Sequence, residues 1–358
     1  MNEKQLVDIS AELPKGFLRQ RWHVYVIIGV LVLLVLVLAT SIGSVSVPFS
    51  TTFSILADKL PFIDLTPTWE PSTATIIFDI RLPRVLLAGL VGAALAIAGA
   101  TYQGLFRNPL ADPYLIGVAQ GASLGAVVGF LLPVSWNLAG FGLVPVLAFI
   151  GALLATTTVY LLARVGKTLP VTTLILAGVA LSALLSSIVS YLVITSGESL
   201  RGIIFWLMGS FALTDWSEVR IVLPYVAVGS SVIILFGRML NVMQLDEEQA
   251  QQLGVNVERL KIILLAAATL ITAASVSFVG TIGFVGIIIP HAVRLVWGSD
   301  HRSLLPLSIL VGAIFMILTD LLARTVLAPT EIPIGVITAV CGAPFFLYLL
   351  RRRKKAIF

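Results

Sequence analysis

Three short groups in this 358-residue sequence have residue types and spacing that could do chemistry. The stretch VGKT at 165–168 looks like the end of a phosphate-binding loop, whose glycine, lysine and hydroxyl would cradle a nucleotide's phosphates. That pattern needs a glycine five residues before Gly166, where this chain has Leu161. It also needs a preceding strand, and here an apolar run precedes it. Nucleotide binding by this chain is therefore not expected. His291 stands three residues before Arg294, at a helix end where a structural hydrogen bond is expected rather than proton transfer. Asp320 and Arg324 are four apart, the spacing of an intrahelical ion pair. No nucleophile–base pair stands out. One cysteine, Cys341, and three histidines form neither a disulfide framework nor a metal-ligand set.

A fourth group is of another kind. NVMQLDEEQAQQLGVNVERLK, 241–261, carries four of the chain's 18 acids between long apolar runs. Asp246 with Gln249 reads as an N-terminal capping pair, and Gly254 suits a left-handed C-terminal cap. Between them lie about two turns, with Ala250 and Leu253 on one face. A helix so short is marginal alone in water. It must rest on its own protein or insert into a partner.

The elements that position these groups are set by composition. Hydrophobic residues make up 58% of the chain, charged residues 11%, and mean hydropathy is +1.04. A soluble domain carries about 25% charged residues. Apolar runs near 20 residues recur, the length that crosses a hydrocarbon core about 30 Å thick, and they lack the alternation of a membrane β-barrel. The chain reads as an all-α polytopic membrane protein. Its pI near 9.5 comes from basic residues in short loops and tails, without the grooved or aromatic-interleaved pattern of a nucleic-acid surface.

Ten spans follow: 23–42, 84–103, 113–132, 143–163, 170–194, 219–236, 261–278, 283–298, 304–322 and 333–350. A run at 203–213 is too short to cross. The basic residues before 24–39 resemble a signal peptide's start, but the run is long and has no clear cleavage site, so a retained helix is expected. Gly280, Gly283 and Gly286 favour a break between the seventh and eighth spans. Charge agrees, because ten spans leave six of 23 basic residues outside: Lys59, Arg81, Arg84, Arg201, Arg220 and Arg324. Fusing the two spans would put the tail RRRKK outside, against the positive-inside rule. Both termini are thus placed in the cytoplasm, with a tail at 1–22, a permease domain at 23–350 and a basic tail at 351–358. Gly117, Gly121, Gly125 and Gly129 form a stripe that lets a neighbouring backbone approach closely. Few acids lie deep in the spans, so an ion relay has little to work with.

At this point the residues become specific. RLPRVLLAGLVGAALAIAGATYQGLFRNPLADPYLIGVAQGASLG (81–125) resembles the permease family of ABC importers for iron–siderophores, haem and vitamin B12. The resemblance continues through LILAGVAL (174–181), FWLMGSF (205–211), LDEEQAQQLGVNVERLK (245–261), GFVGIIIPHAVRLVWGSDHRSLLP (283–306) and the run 320–350. It implies a homodimer of ten-helix subunits with the pathway at the dimer interface. Two ATPase subunits, which carry ATP and magnesium, would dock inside, and a periplasmic or lipid-anchored binding protein outside. The chain itself would hold no cofactor. The resemblance further implies an ATPase-coupling helix at Leu245, Asp246, Glu247, Glu248, Ala250, Leu253 and Gly254; Asp246 stands where many relatives have glycine. Arg81 and Arg84 of RLPR, with Arg324 of LLAR, map onto the arginines that meet the binding protein. Val171 and Thr172 map onto the cytoplasmic gate, whose polar pair is half kept. Leu181, Ser182 and Ser186 map onto the pathway. The expected cargo is an iron–siderophore or haem, with vitamin B12 as the alternative; an ion-coupled secondary transporter is the rival of a different class.

Overall fold

A computed structural model describes residues 16–43, 46–59, 66–134, 137–138 and 141–354. Most of the tails at 1–22 and 351–358 thus lie outside the described residues, as do Lys4, Lys15 and Lys355 of the charge argument. The elements are α1 (Gly16–Ser41), α2 (Phe49–Asp58), α3 (Pro71–Thr75), α4 (Leu82–Leu105), α5 (Val118–Leu131), α6 (Leu143–Ala163), α7 (Val171–Ile194) and α8 (Leu200–Met208). They continue with α9 (Trp216–Leu235), α10 (Gly237–Val242), α11 (Glu247–Gln252), α12 (Val257–Val279), α13 (Val285–Trp297), α14 (His301–Thr325) and α15 (Ile334–Lys354). The only pair of strands among the described residues is a two-residue ladder, Asn137 opposite Gly142 and Leu138 opposite Phe141; Val165 and Thr168 form a single bridge.

Among the described residues, seven helices are long and apolar enough to cross a membrane, and shorter apolar helices at Val118–Leu131, Val285–Trp297 and Ile334–Leu347 occupy the three remaining predicted runs. The run at 203–213 forms only the nine-residue α8. The glycine-rich break is real: α12 stops at Val279, Gly280 and Phe284 both take positive φ, and α13 begins at Val285.

One boundary differs from the sequence reading. The second span does not begin at 84. A turn of π-helix (Ile76–Arg81) joins α3 to α4, giving one continuous helical stretch, Pro71–Leu105. Asp79, Arg81 and Arg84 look like the end of a loop, but the helix runs through them because other parts of the chain satisfy the guanidinium groups of Arg81 and Arg84.

α4 is the axis of the core, and nearly every residue of it is buried. Its small side chains permit this. A Cβ on Gly92 would overlap the Gly312 carbonyl oxygen of α14, and one on Gly99 would overlap that of Gly286 in α13. In lipid, where apolar burial offers little gain, such backbone approach supplies the dispersion contacts that hold helices together. The predicted glycine stripe behaves the same way against α6: Cβ atoms on Gly121 and Gly125 would strike the Gly151 and Leu147 carbonyls. Gly117 is separate from it, taking φ +85° as the left-handed residue that starts α5. α7 is the opposite case, a long helix at the rim with few buried residues.

Candidate functional site

The short acidic helix exists, with a start different from the one expected. α11 spans Glu247–Gln252, and Asp246 sits at its N-cap in an extended conformation without capping it. Its carboxylate instead accepts from Arg107 Nη1 at 3.0 Å, and the same nitrogen donates to the Leu245 carbonyl at 3.1 Å. A guanidinium 139 positions away in sequence has outcompeted the local cap. The end is as expected. Gly254 has φ +84°, its N–H donates to the Gln251 carbonyl, and the Val255 N–H donates to that of Ala250. This double closure is the glycine-terminated C-cap.

Ala250 and Leu253 do not share a face. Ala250 is fully buried against its own protein, while Leu253 is 64% exposed. Leu245 is also exposed. A helix of this length thus rests on the bundle through alanine and presents leucines outward.

Beneath it lies a polar strut built around Lys261, the fifth residue of α12. Its ammonium is almost wholly buried and donates to Glu247 of α11 at 2.9 Å, to Glu258 at 3.1 Å and to the Leu169 carbonyl at 3.1 Å. Glu258 completes the ring by accepting from the Leu169 N–H at 2.8 Å. Leu169 immediately precedes Pro170, the N-cap of α7, and the next residues are the gate candidates Val171 and Thr172. α11 and the start of α7 therefore share one cleft of about 430 Å³, which Arg107, Val171, Thr172, Glu247 and Lys261 help to line. A buried ammonium loses hydration and is tolerated only when paired and fully hydrogen-bonded, so a displacement of Glu247 must be felt at Leu169. Sequence reading missed the strut as a unit, although the three-residue spacing of Glu258 and Lys261 was a readable signal.

Arg81, Arg84 and Arg324, the arginines mapped to binding-protein docking, are not free surface charges. Arg84 is forked between two acids: Nη2 and Nε donate to Asp320 at 2.8 and 3.0 Å, and Nη1 and Nη2 donate to Glu331 at 2.7 and 3.0 Å. Arg324 makes the expected intrahelical contact with Asp320 at 3.4 Å, and it also donates to the Ile42 and Ala39 carbonyls. Arg81 donates to the Ser41 carbonyl at 2.8 Å. Arg81 ties the C-terminal end of α1 to the start of α4, Arg84 ties α4 to α14 and the α14–α15 connection, and Arg324 ties α14 to the end of α1; their side chains are buried or nearly so. Internal ion pairs and carbonyl bonds take up the guanidinium groups of Arg81 and Arg84. Glu331, a partner the sequence did not suggest, is the most exposed of the group.

α7 carries the pathway candidates. Leu181, Ser182 and Ser186 are each half-buried, and Ser187 and Ser190 on the same helix are exposed, their hydroxyls turned back onto carbonyls one turn earlier. VGKT forms a tight turn between α6 and α7, with Val165 and Thr168 exchanging backbone bonds around Gly166 at φ +61°. Arg294 donates to Gln103 Oε1 at 2.9 Å, and the His291 ring meets that of Phe345 edge-on.

Known proteins place this arrangement. The sequence pattern of the FecCD transport family matches residues 31–352. The chain is 46% identical to the cobalamin import system permease protein BtuC of Halobacterium salinarum over 88% of this chain and 86% of that one. It is 38% identical to the hemin transport system permease protein HmuU of Yersinia pestis, over 92% and 96%. It is 40% identical to the ferric dicitrate permease protein FecD of Escherichia coli, over 78% and 86%. Among solved structures it superimposes with a TM-score of 0.80, at 34% identity over 92% of this chain and 99% of the other, on a metal-chelate type ABC transporter in an inward-facing conformation. The chain is a multi-pass permease of the cytoplasmic membrane and belongs to the FecCD transport family.

Proposed function

We propose that two copies of this chain form the membrane pathway of an ATP-driven importer for a metal chelate, an iron–siderophore or haem. All ten apolar helices cross the membrane, both termini lie in the cytoplasm, and the ATPase activity resides on two separate subunits that grip α11. The observation that carries this reading is the strut of Lys261, Glu247, Glu258 and Leu169. It links a helix with outward leucines to the first residues of α7. The hydroxyl-bearing, poorly buried face of α7 supports its place along the pathway and at the dimer contact, since it leaves a long surface for a partner or cargo to cover.

The outer corner that holds Arg81, Arg84 and Arg324 receives the binding protein in this reading. Their internal bonds support a role in shaping that corner, with Glu331 at its rim. Vitamin B12 is the second reading, favoured by the 46% identity to a cobalamin permease. Mass spectrometry of the ligand retained by the cognate binding protein separates the two.

The coupling role is tested by Leu253→Asp. The side chain is mostly solvent-exposed, so the variant should fold as the parent does while losing the ATPase subunit on co-purification and losing uptake. Full retention of the ATPase by a folded Leu253→Asp protein would remove α11 from the docking role.

A further inference from the structure

A second cleft, of about 520 Å³, is separate from the one beside α11, although Leu174 near the start of α7 helps to line it. Its walls are α6, through Thr157 and Tyr160, and α9, through Gly229 and Val232; its floor is α12, through Ile262 and Ala266. Its volume is in the range of small-molecule sites, and its walls are mostly apolar. Farther along α6 and α9, in the direction away from α11, Phe149 and Tyr225 bring their rings within 5.7 Å of each other.

Charge is concentrated at one end only. Arg164 lies four residues after Tyr160, just past the end of α6, where its Nε donates to the Gly166 carbonyl at 3.0 Å and leaves its two terminal nitrogens for an anion, and Arg259 precedes Ile262 by three, one helical turn back along α12. Both are exposed. They belong to the same end of the bundle, because the loop after Arg164 is bonded to the start of α12 through Leu169, Glu258 and Lys261. The acid nearest Arg259, Glu258, is committed to Leu169 and Lys261. An apolar trough with arginines at a single end matches an amphiphile that has one anionic head.

We infer that this cleft binds an anionic phospholipid of the surrounding membrane, with an acyl chain against Ala266 and Val232 and the phosphate between Arg164 and Arg259. Basic residues at a membrane surface favour anionic lipid by about fivefold each, so roughly thirtyfold together. The test is native mass spectrometry of the purified permease after equilibration with mixed phosphatidylglycerol and phosphatidylcholine. One phosphatidylglycerol should be retained in preference. Arg164→Ala with Arg259→Ala should abolish the preference by about the factor above, and Arg164→Lys with Arg259→Lys should keep most of it. Ala266→Phe, which fills the trough, should lower retention of both lipids. Inorganic phosphate should not displace the bound lipid, whereas its displacement would mean a bare anion site. Equal retention of the two lipids, a preference untouched by the alanine pair, or retention untouched by Ala266→Phe would overturn the assignment.

Discussion

Replacing Arg84 by methionine removes the shared partner of the outer corner. In the intact chain this guanidinium makes five hydrogen bonds, three to Asp320 and two to Glu331. Glu331 is about one-third exposed and can be rehydrated, but the Asp320 side chain is 1% exposed and would keep only the 3.4 Å contact with Arg324. Breaking a buried pair from one side costs about 3–5 kcal/mol, because the remaining charge is left desolvated. Removing both charges with Arg84→Met and Asp320→Leu should cost less than Arg84→Met alone, since no stranded carboxylate remains. Arg324 would still hold the Ile42 and Ala39 carbonyls. The assay is a double-mutant cycle on unfolding in mixed detergent–SDS micelles, followed by tryptophan fluorescence. The expected coupling between the two sites is about 2 kcal/mol or more, with the double variant above the single. Additive losses, or an Arg84→Met protein as stable as the parent, would refute the claim that Asp320 depends on Arg84.

Three further outcomes are expected. Gly254→Val forces a β-branched residue to φ +84° and should cost about 1–2 kcal/mol at the end of α11, read as reduced uptake with folding of the bundle retained. Gly99→Ala places a methyl on the Gly286 carbonyl and should sharply reduce the folded yield, whereas Gly29→Ala, with open space around it, should stabilise α1 by about 0.5–1 kcal/mol; comparable yields from both would contradict the packing described for α4. Lys167→Ala should leave the nucleotide affinity of the assembled importer unchanged, and a large loss of binding would return VGKT to consideration as a phosphate site.

Helix positions were legible because a bilayer demands long apolar runs, and those runs are local in sequence. The start of α4 was not, since Asp79, Arg81 and Arg84 mimic a loop unless their distant partners are known. Asp320 and Glu331 lie 236 and 247 positions from Arg84, a separation no local pattern reveals. Asp246 was misread for the same reason: its sequence neighbours spell a cap, and Arg107 takes the carboxylate. The glycine stop at Gly254 was readable because it depends only on backbone conformation. The polar strut under α11 was half readable, with Glu258 and Lys261 adjacent on one helix and Leu169 supplied by the fold.

The most direct test of the account is the ratio of substrate imported to ATP hydrolysed in proteoliposomes holding the permease, its ATPase subunits and its binding protein. Lys261→Met cuts every bond from the ammonium to α11 and Leu169, and Glu247→Gln weakens the α11 bond alone at a side chain already about one-third exposed. Both variants should keep the ATPase subunits bound and hydrolysing while the ratio falls, further for Lys261→Met than for Glu247→Gln. A ratio equal to that of the parent in both would contradict transmission from α11 to the start of α7 through Lys261.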